Sequence, residues 1–222
     1  MKFGILLPTR WLLINDPPRT NIDTILSMAK TVESAGLDSV WVGDSLTAKP
    51  RLEPLTVLAS VASITKRIRL GTAVMLGALR HPVLLAHAAS TLDLISGGRL
   101  VLGLGVGGAF NSNQRQEWFN AGVNPATRAT RFEEVVELVK RLTRGETVNY
   151  KGRHFTVNDV KILPVSPHPE GVQILLASHW RSDKPRQFLR AAKFGDGYIS
   201  ISDHPDEFLK VTSQVKQSSE SF

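Results

Sequence analysis

The feature that most constrains this chain is its alternation of short β-type apolar runs with longer stretches of helical periodicity. Apolar runs cover residues 3–7, 39–42, 68–75, 100–104, 172–177 and 198–201. Between them, apolar residues recur every three or four positions, as in Ile22, Ile25, Leu26, Ala29 and Val32, or Leu55, Leu58, Val61 and Ala62. Strands that alternate with amphipathic helices pair in parallel, because each helix returns the chain to the same edge of the sheet. The punctuation agrees. Gly36, Gly97 and Gly145 stand where helices should stop, and Pro82 stands where one should start. Thr130 with Glu133 reads as a capping box opening a helix that runs to Gly145. Lys151-Gly152-Arg153 reads as a hairpin turn between residues 148–150 and 154–157. The stretch 106–126, rich in Gly and Asn, reads as a long connection of the kind that carries function.

About six βα units fit on 222 residues, read as one domain over 1–222. A closed (β/α)8 TIM barrel needs eight, so the expectation is a barrel truncated after about six units, with open edges on its first and last strands. Open edges and uncovered apolar faces favour association, which predicts a homodimer or larger homo-oligomer.

Composition narrows the function classes. There are 27 Lys and Arg against 20 Asp and Glu, a net charge of +7. The basic residues are scattered, with no run longer than Lys66-Arg67, and the aromatics are not interleaved with them, so no nucleic-acid partner is expected. No apolar run is long enough for a membrane span. With no cysteine, thiolate metal sites and cysteine nucleophiles are excluded, and a cytoplasmic setting is the default expectation. An anionic cofactor and a small-molecule substrate suit a mildly basic chain better.

In a parallel barrel the chemistry sits at the carboxyl ends of the strands. Those ends hold Gly43-Asp44-Ser45, Thr72-Ala73-Val74-Met75 with Arg80-His81-Pro82, Gly103-Leu104-Gly105-Val106-Gly107-Gly108, and Ala177-Ser178. Four glycines at one strand exit would let a flat, apolar ring approach the backbone, or would serve tight strand-to-helix packing. Asp44 is the candidate catalytic residue, with capping of the following segment as its other reading. The stretch 177–183, with Ser178 and Arg181, could hold phosphate at a helix start. No second carboxylate is evident beside Asp44, since Glu53, Glu117 and Asp203 cannot be placed from spacing alone.

Taken in order, Gly71-Thr72, Arg80-His81-Pro82, Thr91-Leu92-Asp93, Ser96-Gly97-Gly98-Arg99, the glycines of 103–108, Tyr150-Lys151-Gly152-Arg153-His154-Phe155 and Gly195-Asp196-Gly197 resemble the bacterial-luciferase-like family of flavin- and deazaflavin-dependent oxidoreductases. The resemblance spans nearly the whole chain. It implies a TIM barrel that binds FMN or coenzyme F-420 where Ala73, Val74, Gly105, Val106, Gly107, Asn111, Ala177 and Ser178 converge. It also implies a bulge with a non-proline cis peptide at Ala73-Val74 that supports one face of the ring. Two departures leave the cofactor open. Val106 stands where bacterial luciferase itself has an arginine that helps hold phosphate, and Ser45 stands where many members, especially deazaflavin users, carry a histidine after the aspartate. Serine has no protonation change near neutral pH, so a histidine-based proton transfer does not carry over. The expected activity is monooxygenation or hydride transfer on a small organic substrate. The alternative is a non-catalytic or degenerate flavin-binding barrel protein.

Overall fold

The computed structural model describes residues 1–15, 21–180, 185–200 and 204–222. Its sheet is built from β1 (Gly4–Leu6), β2 (Ser39–Val42), β3 (Arg69–Thr72), β4 (Met75–Leu76), β5 (Leu100–Gly105), β8 (Gln173–Ala177) and β9 (Gly197–Ile199), while β6 (Val148–Lys151) and β7 (Thr156–Val160) form a separate antiparallel hairpin. The sheet order is β1-β2-β3-β5-β8-β9, with the short β4 also on β5, and every pairing in it is parallel. Among the described residues β1 and β9 do not meet, so the sheet curls as part of a barrel and keeps two edges. The expected parallel strands are present, and the segment 68–75 is broken into β3 and β4 by a cis peptide at Ala73–Val74. Of the segment read as 198–201, the last residue, Ile201, lies outside the described residues.

The helices are α1 (Thr9–Asn15), α2 (Asp23–Ser34), α3 (Pro54–Ile64), α4 (Pro82–Ser96), α5 (Ser112–Asn120), α6 (Arg128–Thr143), α7 (Arg186–Phe194) and α8 (Pro205–Ser219). Side chains alternate across a strand, so register decides which face each residue serves. Val40 faces with Leu70, Leu102 with Ile174, and Leu104 with Leu176, all fully or almost fully buried. This apolar face is covered by helices, with α3 on β3, α4 on β5 and α7 on β8. The opposite, concave face carries Trp41, Gly71, Gly103, Leu175 and Ala177. Trp41 lies across Gly71, where any Cβ would collide with its ring.

Helix ends follow local chemistry. Pro54 and Pro82 open α3 and α4, and Glu53 caps α3 by accepting from Thr56 N at 2.7 Å. Gly36 and Gly97 leave α2 and α4 with φ of 75° and 69°. The expected capping box at Thr130 and Glu133 is absent. α6 starts three residues earlier than that cap implies, because Asn124 and Pro125 already turn the chain into a 3-10 turn that runs straight into it. Thr130 Oγ1 donates back to Thr127 O, and Glu133 pairs with Arg190 at 3.0 Å.

The hairpin is tied to α6 through Glu134, which accepts from the backbone N–H of Arg153, His154 and Phe155. Phe155 is then stacked by the Arg131 guanidinium at 4.3 Å and met edge-on by His81 at 5.4 Å. His81 is therefore a packing residue between α4 and the hairpin.

Candidate functional site

The carboxyl ends of the strands bring together several of the residues singled out in the sequence. A Cβ on Gly105 would stand 2.7 Å from Val74 Cγ2 and 3.6 Å from Ala177 Cβ, so the exits of β3, β5 and β8 converge on one apolar floor. Ala73, Val74, Val106, Gly107 and Ala177 there are half-buried. Ser178 is fully buried; its N–H donates to Ile199 O at 3.0 Å, and its hydroxyl has no hydrogen-bond partner among the described residues. Thr9, just beyond the exit of β1, is likewise buried with an unpartnered hydroxyl. Unpaired buried hydroxyls cost free energy that a ligand's polar atom can recover.

The four glycines of the β5 exit each have a protein neighbour in the space a side chain would take. Gly103 meets the Thr72 carbonyl, Gly105 meets Val74, Gly107 meets Trp118 and Gly108 meets Phe110. Gly107 also has a φ of 83°. Packing thus accounts for these glycines, and the floor they allow is made by Val74 and Ala177. Asn111 is exposed and caps α5, its Oδ1 accepting from Gln114 N at 2.9 Å. Arg181, Ser182 and Asp183, read as a phosphate-binding stretch, and Asp203 lie outside the described residues.

Asp44 is held firmly. Its side chain is 4% exposed and accepts from Leu76 N at 2.9 Å, Arg80 Nη1 at 2.6 Å and Arg80 Nη2 at 3.1 Å. This bidentate pair with a backbone amide ties the β2 exit to the chain that follows Val74. Ser45 does not face a reacting group. Its hydroxyl donates to Glu117 Oε1 at 2.8 Å and accepts from Lys49 N at 3.0 Å.

Glu117 is a carboxylate that spacing alone does not place and to which the sequence assigns no role. It lies on α5, 3% exposed, and its Oε1 also accepts from Thr47 N at 2.9 Å and Ala48 N at 3.1 Å. Burial pushes its pKa up, but the amides of Thr47 and Ala48 with the Ser45 hydroxyl outweigh this, and the carboxyl sits below its ordinary value. Its neighbour Trp118 donates Nε1–H to Gly108 O at 2.8 Å. One short helix therefore braces the exits of both β2 and β5. The only local signal was the adjacent Glu117-Trp118 in an otherwise polar run.

A cavity of about 520 Å³ between Lys2, Leu37, Asp38, Arg67 and Arg69 opens at the amino ends of β1 to β3. It lies at the opposite end of the strands from the floor described above, and Asp38, Arg67 and Arg69 of its lining are bonded to residues around it. Asp38 accepts from Phe3 N, and Arg69 donates to Gln173. Among the described residues no group of His, Asp and Glu is arranged to hold a metal ion, and no helix is long and apolar enough to cross a membrane.

Comparison with known proteins agrees with this architecture. The family model described as luciferase-like monooxygenase matches residues 1–220. The chain is 31% identical over 207 residues to an F420-dependent glucose-6-phosphate dehydrogenase of Amycolatopsis mediterranei, covering 88% of this chain and 59% of that protein. It is also 31% identical over 179 residues to a 5,10-methylenetetrahydromethanopterin reductase of Archaeoglobus fulgidus, covering 81% and 49%. The chain thus spans about half to three-fifths of the length of these relatives. Among solved structures, the monooxygenase RslO1 of Streptomyces bottropensis superposes with a TM-score of 0.85 at 26% identity, over 100% of this chain and 66% of that one. A type II Baeyer-Villiger monooxygenase of Pseudomonas putida, solved with FMN, shares the fold with a TM-score of 0.77 at 17% identity, over 100% and 63%. The parallel half-barrel, the motifs along it and the match over nearly its full length place this chain in the luciferase-like monooxygenase family.

Proposed function

We propose that this chain binds a flavin or deazaflavin, FMN or coenzyme F-420, on the floor formed by Val74, Gly105 and Ala177, and serves redox chemistry on a small organic substrate. The observation that carries the reading is the meeting of three strand exits in a half-buried apolar surface next to Ser178, whose buried hydroxyl has no partner among the described residues. An isoalloxazine-type ring is flat and largely apolar, and its carbonyl and N–H edge needs polar partners, so this floor and hydroxyl fit it. When bound, such a cofactor supplies hydride transfer or, for a flavin, oxygen activation. Similarity to F420-dependent enzymes and to monooxygenases supports both variants.

The chain's own residues have definable parts in this reading. Val74 and Ala177 support the ring and exclude water from that face. Ser178 offers a hydrogen bond. Asp44, saturated by Arg80 and Leu76 N, fixes the wall after Val74 and places a shielded negative charge near the reacting edge. Glu117 and Trp118 hold the two strand exits in register. Self-association belongs to the same proposal and is supported by exposed Phe3 and Leu6 on the β1 edge. Sedimentation velocity showing a dimer or larger species checks it; a stable monomer at all concentrations rejects it.

Fluorescence titration of the folded chain with FMN and with coenzyme F-420 tests the cofactor directly. Saturable quenching with one of them is expected. No quenching and no thermal shift with either would remove the reading.

A further inference from the structure

The loop that leaves β2 ends in a cation, Arg51, that has no acceptor among the described residues. Arg51 folds back over the strand exit, and a Cβ on Gly43 would stand 2.5 Å from its Nη1 and 2.9 Å from its Cζ. Gly43 thus makes the room in which the guanidinium rests. The intervening loop is not slack: Glu117 holds Ser45, Thr47 and Ala48, and Ser45 holds Lys49 N. Arg51 is therefore presented from a fixed support next to Asp44, at the same end of the sheet as the proposed cofactor floor.

Every carboxylate of this loop and its flanks is committed elsewhere. Asp44 serves Leu76 N and Arg80. Glu53 caps α3 through Thr56 N and Oγ1, and lies 3.6 Å from Arg80. Glu117 serves the loop itself. Arg51, in contrast, makes no hydrogen bond or ion pair among the described residues. Burial, and after it the positive charge of Arg10, lower its pKa, and the nearby Asp44 carboxylate offsets this in part. A half-buried guanidinium so placed gains most from an incoming anion, and its planar fork matches carboxylate and phosphate oxygens two at a time.

We infer that Arg51 binds an oxyanion, a carboxylate or a phosphate, carried by the substrate that reacts at the carboxyl ends of the strands. That the oxyanion belongs to a substrate rests on the proposed redox function, whereas the anion site itself rests on the placement of Arg51. The shared chemistry has a second possible source, the phosphate of the cofactor, and the test separates the two.

The probes are inorganic phosphate and acetate, titrated calorimetrically at low ionic strength into the wild-type chain, Arg51→Gln and Arg51→Lys. FMN and riboflavin, which lacks the phosphate, are titrated into the same samples. We expect both anions to bind the wild type, to weaken by about tenfold or more in Arg51→Gln, and to be partly retained in Arg51→Lys. FMN and riboflavin affinities should not change with Arg51→Gln. A fall for FMN but not for riboflavin would assign the anion to the cofactor and overturn the substrate assignment. Equal anion binding in wild type and Arg51→Gln, or none in either, would overturn the site. Arg51-dependent anion binding in a chain that takes up neither FMN, riboflavin nor coenzyme F-420 would defeat the cofactor reading and keep the anion site. Since Arg51 makes no hydrogen bond or ion pair among the described residues, both variants should fold, which their far-UV spectra will show.

Discussion

The two ends of the same strands are built to opposite specifications. At the amino end, polar groups are paired almost without remainder. Arg99 donates to Ser96 O, Thr65 Oγ1, Ile68 O, Ala62 O and Thr65 O. Asp93, fully buried, accepts from Leu100 N at 3.0 Å and Ser166 Oγ at 2.6 Å. Glu33 gathers the amides of Lys66, Arg67 and Ile68, and Asp196 takes Ile174 N. At the carboxyl end, Thr9 and Ser178 keep hydroxyls with no partner among the described residues, Arg51 makes no hydrogen bond or ion pair among them, and Val74 and Ala177 are left half-open; a further such hydroxyl, Ser90, lies within α4. The difference teaches where each motif belongs. Thr91-Leu92-Asp93 and Ser96-Gly97-Gly98-Arg99, the most legible signature of the family, secure the fold, whereas the ligand end is assembled from residues with no such contiguous signature.

The largest expected effect tests the amino end. Asp93→Ala strands the Leu100 amide and the Ser166 hydroxyl in the core and should cost about 2–4 kcal/mol in urea unfolding. The fraction that remains folded should bind cofactor as the wild type does. A loss below roughly 1 kcal/mol would mean that the buried network is not what secures this end.

Gly105→Val tests the other end. The new side chain must displace Val74, and cofactor affinity should fall by about tenfold or more with a smaller loss of stability, about 1–3 kcal/mol. Unchanged affinity would move the ligand off this floor.

Glu117→Ala should cost about 1–3 kcal/mol by releasing the amides of the 45–49 loop. Because the folded-state pKa of Glu117 is depressed, its contribution is present above its ordinary value and is lost as pH falls through the lower folded value. Urea unfolding followed from neutral pH into acid should therefore show a shallower acid limb for Glu117→Gln than for the wild type. Parallel limbs would mean that the carboxylate is not specially stabilised.

The smallest effect is the most discriminating. Ser178→Ala removes a hydroxyl that bonds to nothing, so stability should stay within about 0.5 kcal/mol or rise slightly, while cofactor binding weakens. A marked loss of stability would show that the hydroxyl is satisfied in the folded protein.

The same contrast explains what could be read from sequence. The strands, the helix stops at Gly36 and Gly97 and the hairpin around Gly152 were legible because each depends on periodicity or on neighbours a few residues away. α5 was read as connection because its nine residues bury only Glu117 and Trp118, too few for an apolar stripe. α1 was missed for a similar reason, burying only Thr9 and Leu12. Glu117 itself works on residues about 70 positions away, a separation that no spacing rule reports. The glycines at 103–108 were visible, but their reason was not: Thr72, Val74 and Trp118 fill their space from other elements. Asp44 was found by its place at a strand end, and its partner Arg80 was recognised as a motif without the bond between them.

Hydrogen–deuterium exchange with and without the bound cofactor is the most direct test of an asymmetric molecule. Added protection is expected at residues 72–76, 105–108 and 177–178, with no change at residues 93–100. Protection confined to the amino-end network, or none at the carboxyl ends of β3, β5 and β8 in a cofactor-saturated sample, would contradict it.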